Sequence, residues 1–346
     1  MTTILSIETS CDETAVAIVN NRKVHSSIIS SQIPIHAPYG GVVPEVASRQ
    51  HLVTITDAIS QALEAANLDW EQIDGIAATV APGLVGALMI GMTAAKTLAI
   101  LHAKPFLGVH HLEGHIYASY LSSPELQPPF LCLLVSGGHT SLIHVQDCGV
   151  YVELGATRDD AAGEAFDKVA RLLNLGYPGG PVIDRLARQG NPHLYPLPEG
   201  NIGLPGGGFH PYDSSFSGVK TAVLRLVQKL QAEGKELPVA DIAASFQHSV
   251  AKSLTKRAIA AAVDYGLETI VIGGGVAANS GLRSHLHTQA TKRGIQVLFP
   301  PLEFCTDNAA MIGCAAAEHL NRGHISPLNL GVQSRLSIVD VMNLYG

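Results

Sequence analysis

The chain has 346 residues, of which 47% are hydrophobic and 15% charged, so it holds more apolar material than one compact core usually takes and two domains are expected. Its 22 Lys and Arg residues against 29 Asp and Glu residues give a net charge of −7. This charge excludes a positive potential over the whole surface that would attract nucleic acid. Binding of nucleic acid would need a local basic patch or a second protein.

The N-terminus and the cysteines indicate a cytoplasmic protein. Residues 1–8 have no basic region and reach Glu8 at once, so they do not form a signal peptide. The five cysteines, an odd number without C-x-x-C spacing, indicate neither a disulfide framework nor a thiolate zinc site. Residues 75–95 carry no charge, but Pro82, Gly83, Gly86 and Gly91 interrupt them, which favours a strand, a loop and a buried helix over a membrane span.

The first half of the chain alternates strands with helices. Apolar runs predict strands at 4–8, 14–19 and 23–31, a long helix from Pro44 to about Ala66, a strand at 74–80, a helix at 84–102 and a strand at 105–109. The short turns between the first three strands predict an opening meander, and the alternation of strands and helices after it predicts a mostly parallel sheet with ligands at the carboxyl ends of its strands. The polar turn at 9–13 could face phosphates, with Asp12 or Glu13 holding a cation or orienting water, although an ordinary hairpin tip is equally polar.

A strand, a turn of small residues and a second strand occur again after the Pro-rich break at 122–129. Strands at 130–135 and 141–146 flank the glycine turn at 136–140. The repetition predicts two related domains that face each other across a cleft, each with a hairpin directed at phosphate. We assign residues 1–128 and about 318–346 to an N-terminal subdomain, and residues 129–317 to a C-terminal subdomain.

The rest of the second half predicts helices at 160–175, 218–233 and 239–265, a mobile irregular insertion at 191–217 and a buried strand at 268–272. Three glycines at 273–275 would let a nucleoside lie on the backbone, with Asn279 bonded to its ribose or base, although a tight packing turn has the same composition. The segment from 304 predicts a helix with Thr306 as N-cap and Asp307 in its first turn.

His111 and His115 lie four positions apart, directly after the strand at 105–109. On a helix both imidazoles project from one face about one turn apart, which presents two nitrogens to a transition metal; partly buried amphipathic histidines are the alternative. If the two halves close on each other, Asp307 could join the pair and give a site of two histidines and one carboxylate for Fe(II) or Zn(II).

The spacing of this pair differs from the H-E-x-x-H of zinc peptidases. In that motif the glutamate directly follows the first histidine and reaches the metal-bound water. Glu113 is two positions from each histidine and, at about 100° per residue, points roughly 200° away from either of them. The pair therefore predicts a binding site for an anionic substrate more than a hydrolytic centre.

Seven strings together resemble one family, the tRNA N6-adenosine threonylcarbamoyltransferases of the TsaD type, once described as glycoproteases. In chain order they are SIETSCDET at 6–14, PEVASR at 44–49, HLEGH at 111–115, VSGGHT at 135–140, GEAFDK at 163–168, GGGVAAN at 273–279 and CTDN at 305–308. Any one string is weak, but all of them run in order over nearly the whole chain. The resemblance implies a two-domain α/β fold of the actin-like, sugar kinase and heat-shock ATPase superfamily, with an interdomain cleft.

The same resemblance implies site residues in both halves. It implies that His111, His115 and Asp307 bind one divalent metal, Fe(II) more readily than Zn(II). Leu134 and His139 stand where archaeal and eukaryotic relatives have tyrosine and asparagine, which favours the bacterial or organellar branch. The residues implied to line a pocket for threonylcarbamoyl-adenylate are Leu134, Val135, Ser136, Gly137, Gly138, Asp167, Gly180, Asp184 and Asn279.

The implied reaction is an acyl transfer. The N6 of the adenine next to the anticodon, in tRNAs that read codons starting with A, attacks the carbamoyl carbon of threonylcarbamoyl-AMP, and AMP leaves. Positioning and charge stabilisation must supply most of the help, and the candidate proton acceptors are His139, Asp12 and Glu13.

The implied partners are the tRNA anticodon loop, a TsaB-like paralogue and a TsaE-like P-loop ATPase, with no membrane. A sugar kinase-like ATPase and a metallopeptidase are the alternatives. The first has no use for a histidine and carboxylate metal site, and the second needs a base beside the metal, which the position of Glu113 disfavours.

Overall fold

The computed structural model describes residues 2–346, which divide into two compact units. Unit 1 comprises the described residues through Gln127, together with Gln146–Tyr151 and Pro300–Gly346. Unit 2 comprises Pro128–Val145 and Val152–Phe299. Each unit is built on one five-stranded sheet.

Unit 1 contains a mixed sheet in the order β3-β2-β1-β4-β5. The first three strands pair antiparallel, whereas β1, β4 and β5 pair parallel. The antiparallel opening confirms the predicted meander, since short turns join antiparallel neighbours, while α2 and α3 supply the crossovers that the parallel strands need. The elements are β1 (Thr3–Glu8), β2 (Glu13–Asn20), β3 (Lys23–Ser31), α1 (Ile33–His36), α2 (Pro44–Ala66), β4 (Gly75–Ala81), α3 (Val85–Leu101), β5 (Phe106–His110) and α4 (His111–Tyr117).

Unit 2 repeats this arrangement. Its sheet has the order β8-β7-β6-β9-β10, with β6 antiparallel to β7 and parallel to β9, so an opening meander is again followed by parallel strands. The repetition predicted from the two strand and turn openings is therefore present in the topology. The elements are β6 (Phe130–Val135), β7 (Thr140–Asp147), β8 (Val150–Ala156), α5 (Ala162–Leu172), α6 (Gly179–Ala187), α7 (Ser217–Ala232), α8 (Val239–Asp264), β9 (Thr269–Gly273), α9 (Ser280–Thr291) and β10 (Gln296–Leu298).

The chain returns to unit 1 after β10 and enters α10 (Ala309–Asn321). Asn308 is the N-cap of α10, because its side-chain oxygen accepts the N–H of Met311 at 2.9 Å. The prediction of Thr306 as N-cap is therefore wrong, and Asp307 precedes the helix instead of lying in its first turn. Short 3₁₀ turns occur at Ala37–Tyr39, Trp70–Gln72, Gly275–Ala278, Leu302–Phe304 and Ile338–Leu344.

The packing of α10 decides where the C-terminal part of the chain belongs. All six residues of β1 are buried, and α10 packs along β1 and β2 with the Ser6 hydroxyl donating to the Ala309 carbonyl at 2.6 Å. The boundary expected near residue 318 differs from this division, since residues 300–317 lie in unit 1. Asp307 thus shares a unit with both histidines, and its approach to them needs no closure of two halves.

Two other stretches singled out in the sequence have a clear place. The uncharged residues 75–95 form β4 and the first part of α3, and no helix within residues 2–346 has the length and apolarity to cross a membrane. The irregular insertion is tied to α8, where the buried guanidinium of Arg257 donates to the carbonyls of Asp213 at 2.7 Å and Gly200 at 2.9 Å.

Candidate active site

Three predicted metal ligands meet in unit 1. His111 and His115 lie one turn apart on α4, directly after β5, and Asp307 lies in the segment that leads into α10. The Oδ1 of Asp307 is 3.5 Å from Nε2 of His111 and 3.2 Å from Nε2 of His115. One possible ligand atom from each residue lies within 4.8 Å of the others, and this is the one such group of three or more side chains among the described residues.

The environment of His115 tests whether a metal fits. Its side chain is fully buried, and neither of its ring nitrogens makes a hydrogen bond within residues 2–346, although Nε2 lies near Asp307. A buried polar atom without a partner costs free energy, and coordination of a cation by Nε2 would remove part of that cost. Two imidazole nitrogens and one carboxylate oxygen suit Fe(II) or Zn(II) with open positions for a substrate, so these residues fit the group.

Glu8 completes the surroundings of His111, and sequence reasoning missed it. Its buried carboxylate lies at the end of β1, where Oε2 is 3.1 Å from His111 Nδ1 and accepts the Thr79 hydroxyl at 2.6 Å. A carboxylate on Nδ1 holds the proton there and leaves the lone pair on Nε2, the nitrogen that faces Asp307, available to a metal. The usable signal was an acidic residue at the carboxyl end of the central strand β1, in the same sheet as β5, the strand that leads to the histidines.

The charges of the centre favour a cation. Burial lowers the pKa of His111, but the charges of Asp307 and Glu8 outweigh it and raise that pKa to about 9. Burial alone would raise the pKa of Glu8, but the charge of His111 and its hydrogen bond to Glu8 lower that pKa below its usual value. Two carboxylates that stabilise an imidazolium this strongly also attract a divalent ion to the same place.

Asp12 and Glu13, two of the proposed proton acceptors, lie in unit 1 at the turn between β1 and β2. Burial, followed by the charges of Asp307 and Asp12, raises the pKa of Glu13 to about 9. A carboxyl group that keeps its proton at neutral pH is a poor base, so this shift argues against Glu13 as the acceptor. The third candidate, His139, lies in unit 2 in the turn between β6 and β7, and its backbone N–H donates to the Ser136 hydroxyl at 3.1 Å.

Glu113 points away from the histidines, as the helical spacing predicts. Its Oε1 accepts the Tyr151 hydroxyl at 2.6 Å and lies 2.9 Å from Nε2 of His319. Burial opposes both charges, but the Glu113 charge raises the pKa of His319 to about 10, and the His319 charge holds the pKa of Glu113 below its usual value. Glu113 therefore belongs to a buried ion pair and is not a base beside the metal site.

The glycine turn of unit 2 presents open backbone. Leu134 and Val135 end β6 with fully buried side chains, so only their main chain could touch a ligand. Gly137 and Gly138 are exposed, and a Cβ on either would meet no described atom within 4 Å. Below the turn, the backbone N–H of Gly163 in α5 donates to the Ser136 carbonyl at 3.2 Å. This arrangement suits the close approach of an anion to main-chain N–H groups.

The remaining predicted pocket residues connect α5, α6 and α9. The Asp167 carboxylate accepts the N–H of Gly179 at 2.7 Å and so caps the start of α6. Asp184 accepts the hydroxyl and the N–H of Ser280 at 2.7 and 3.0 Å. The next residue back, Asn279, caps α9 through the Leu282 N–H and donates to Gln247 at 2.8 Å. The structure thus brings Asp184 and Asn279 to the same helix start, while Gly180 has open space at its α-carbon.

The basic residues of α8 offer little free positive charge to a nucleic acid. Arg257 is only 4% exposed, and its guanidinium donates hydrogen bonds to backbone carbonyls and to the Ser253 hydroxyl. Lys252 and Lys256 of the same helix are exposed, but both lie within ion-pair distance of Glu199, at 2.5 and 3.4 Å. The charge on this face is therefore partly neutralised within unit 2.

Comparisons with known sequences agree on one family. The family model described as tRNA N6-adenosine threonylcarbamoyltransferase matches residues 23–314. A protein of that name from Nostoc punctiforme is 75% identical over 345 residues, which cover 100% of this chain and 99% of the relative. A protein of the same name from Synechocystis is 70% identical over 345 residues, which also cover 100% of this chain and 99% of the relative.

Solved structures share the fold at low sequence identity. HypF in its phosphate- and nucleotide-bound form aligns with a TM-score of 0.63 and 13% identity, over 93% of this chain and 46% of HypF. Component A of (R)-2-hydroxyglutaryl-CoA dehydratase from Acidaminococcus fermentans aligns with a TM-score of 0.52 and 16% identity, over 93% of this chain and 100% of that one. The predicted α/β fold of the actin-like, sugar kinase and heat-shock ATPase superfamily is confirmed.

Proposed function

Because this chain belongs to the tRNA N6-adenosine threonylcarbamoyltransferase (TsaD) family and is therefore an acyltransferase that modifies tRNA, we propose that its donor is threonylcarbamoyl-AMP and its metal ligands are His111, His115 and Asp307. In this reaction the adenine N6 forms a bond to the carbamoyl carbon, the bond from that carbon to the phosphate oxygen breaks, and AMP leaves. The N6 proton passes to a base. The sugar kinase-like and peptidase alternatives are not favoured by the names of the full-length relatives.

The convergence of the two histidines with Asp307 is the observation that carries the metal proposal. A bound Fe(II) or Zn(II) would supply positive charge for the threonyl group and the carbamoyl oxygen. The chain itself supplies the orientation of the ligands, since Glu8 holds the proton of His111 on Nδ1 and the buried position of His115 excludes water from its ring. Fe(II) is our first choice because the set of two histidines and one carboxylate leaves positions open.

The adenylate half of the donor is proposed to bind unit 2. The open backbone at Gly137 and Gly138 would accept the phosphate, and Asn279 and Asp184 at the start of α9 would bind the adenosine. Asp167 acts on this site indirectly, because it caps α6 and so positions Gly180. Since an N6 amine conjugated to a purine is a poor nucleophile, fixed geometry must supply much of the rate.

We propose Asp12 or His139 as the proton acceptor, with Glu13 disfavoured by its raised pKa. The proposed partners are the tRNA anticodon loop, a TsaB-like paralogue and a TsaE-like P-loop ATPase. A net charge of −7 supports a second protein that helps to bring the tRNA. We place the enzyme in the cytoplasm, in keeping with its tRNA substrate and with five free cysteines.

The decisive experiment measures transfer from threonylcarbamoyl-AMP to unmodified tRNA, with and without the partner proteins. We expect Asp307→Ala to lower the rate at least about 100-fold, because charge stabilisation worth a few kcal/mol is lost. Asp340→Ala, which removes an exposed carboxylate of unit 1, should leave the rate unchanged. Equal rates for wild type and Asp307→Ala would refute the metal role, and no transfer by wild type with its partners would refute the donor.

A further inference from the structure

The back of the metal-bearing helix is fixed by a buried polar cluster. Glu113 lies between His111 and His115 on α4 but points to the opposite side, where its fully buried Oε1 meets the Tyr151 hydroxyl at 2.6 Å and His319 Nε2 at 2.9 Å. We call Glu113, Tyr151 and His319 the anchor cluster. All three residues belong to unit 1.

His319 is itself held on its other sides. Its Nδ1 lies 3.0 Å from Nδ1 of His324, and its ring stacks on Tyr345 with centroids 4.2 Å apart and planes 24° apart. The Cys148 sulfur lies 3.8 Å from both ring nitrogens. The imidazole therefore has little freedom to turn, so it gives Glu113 a fixed partner.

α4 and α10 connect the proposed metal ligands to Glu113 and His319 of the anchor cluster. Asp307 comes two positions before the first residue of α10, and His319 lies in the last turn of that helix. Between these ends, Gly114 of α4 is pressed against α10 so closely that a Cβ there would lie 2.6 Å from the Ile312 side chain. Because residue 114 has no side chain, the backbone of α4 packs directly on the side chains of α10. A rotation of α4 would therefore move both histidines relative to Asp307.

We propose that Glu113 is a positioning residue, which sets the orientation of α4 on α10 through Tyr151 and His319 and thereby the spacing of His111 and His115 from Asp307. A carboxylate buried between two donors fixes the orientation of the helix that carries it, because any rotation of α4 would leave the Glu113 charge without a partner in the core. The inference rests on the proposed metal centre and adds the residue that aligns it. None of the anchor cluster touches the metal position.

The test uses the full chain, freed of metal, and titration with Co(II) alone. Cobalt reports its coordination through its visible absorption, so geometry and affinity are measured together without an activity assay. Glu113→Gln keeps the size of the side chain but removes the charge, and we expect about tenfold weaker Co(II) binding and a changed visible spectrum. Tyr151→Phe removes the hydrogen bond to Glu113 and the longer one from the Gly149 N–H but leaves the Glu113 charge, so it should give a smaller shift in the same direction.

Glu318→Gln is the matched control. Glu318 precedes His319 on α10 but pairs with Arg22 at 2.9 Å and Arg322 at 3.0 Å, away from α4. This variant should lower the melting temperature and leave the Co(II) affinity and spectrum unchanged. Equal Co(II) affinity and spectrum for wild type and Glu113→Gln would overturn the proposal, as would an equal loss of affinity in Glu113→Gln and Glu318→Gln. Failure of wild type to bind Co(II) would instead refute the metal centre.

Discussion

The carboxylate of Glu8 decides which nitrogen of His111 faces Asp307. Its Oε2 lies 3.1 Å from Nδ1, and the Ser10 hydroxyl is also 3.2 Å from that nitrogen. A proton held on Nδ1 leaves the lone pair on Nε2, whereas the opposite tautomer would direct an N–H at the metal position. Glu8 would thus control whether His111 can bind the proposed metal, although Glu8 is not itself one of the proposed ligands.

Replacement of Glu8 by glutamine should weaken metal binding by about tenfold or more. In one orientation the new amide NH₂ would face His111 and Thr79, and in the other it would face the Ser10 N–H, so one donor always meets another. The measurement is competition for Zn(II) with a chelator. Thr79→Val keeps the Glu8 charge and should cost less, and an unchanged affinity in Glu8→Gln would disprove the tautomer argument.

The residues of the centre differ in how far sequence reveals them. The pair His111 and His115 is visible as a local spacing on a helix, whereas Asp307 is added by assuming that the two halves close and then by the family resemblance. Glu8 is not visible in this way, because its role depends on β1 lying beside β4 and on the position of α4 after β5. Local periodicity gives residues on one helix, while contacts across a sheet need the strand order.

At the scale of elements, α5 is pressed against the glycine turn that we propose for phosphate. A Cβ on Gly163, the second residue of α5, would lie 2.6 Å from the Ser136 carbonyl oxygen and 2.8 Å from the Gly137 α-carbon. Both of these neighbours are backbone atoms, so they cannot turn aside as a flexible side chain can. The turn or the helix would have to move.

Gly163→Ala should therefore destabilise the protein by about 1–3 kcal/mol and weaken binding of threonylcarbamoyl-AMP. Gly218→Ala is the matched control, since Gly218 is also the second residue of a helix, α7, but a Cβ there would meet no described atom within 4 Å. Urea unfolding and ligand titration check both variants. The idea is wrong if the two alanine variants behave alike.

Arg257 fixes the insertion predicted at 191–217 to α8. Its guanidinium is buried and donates to the carbonyls of Asp213 and Gly200, so its loss would leave several buried oxygens without donors. We expect Arg257→Met to cost about 3 kcal/mol and to expose the insertion to protease. Lys256→Met, a change at the neighbouring but exposed position, should alter neither stability nor cleavage. Resistance of both variants to cleavage would contradict this role.

The helices show what periodicity predicts well and where it fails. The long helices α2 and α8 end within a residue of their predicted limits, because apolar spacing and an initial proline mark them. The start of α10 was misplaced because both Thr306 and Asn308 are good N-caps, and only the hydrogen bond to Met311 distinguishes them. The opening meander of unit 1 is predictable in the same way, because only a short turn separates each of the first three strands from the next.

Over the whole molecule, buried acidic groups with lowered pKa make stability depend on pH. Burial would raise the pKa of Glu318, but hydrogen bonds to Arg22 and Arg322 and their charges bring it below 4.5. Its contribution is therefore complete above pH 4.5 and is lost as pH falls through the lowered pKa of the folded state. In urea unfolding of metal-free protein, the difference between wild type and Glu318→Gln should be full at neutral pH and shrink below pH 4.5. A constant difference across that range would contradict the assignment.

Composition and the repeated strand and turn openings predict two α/β units, and the two sheets share one strand order. The exact division could not be predicted, because the return of the chain to unit 1 leaves no mark in local sequence. It depends on the small buried residues of α10, which fit against β1 and β2. A stripe of alanines predicts close packing but does not identify the sheet that receives it.

The split composition of unit 1 also sets the order in which the protein can mature on the ribosome. β1 to β5 and both histidines emerge early, yet the surface of β1 that receives α10 stays uncovered until all of unit 2 has been synthesised. Loading of the proposed metal would then be a late event, after translation has passed Asp307. A nascent chain released before that point would carry both imidazoles together with an uncovered apolar sheet. Chaperones and proteases would recognise such a chain as unfolded.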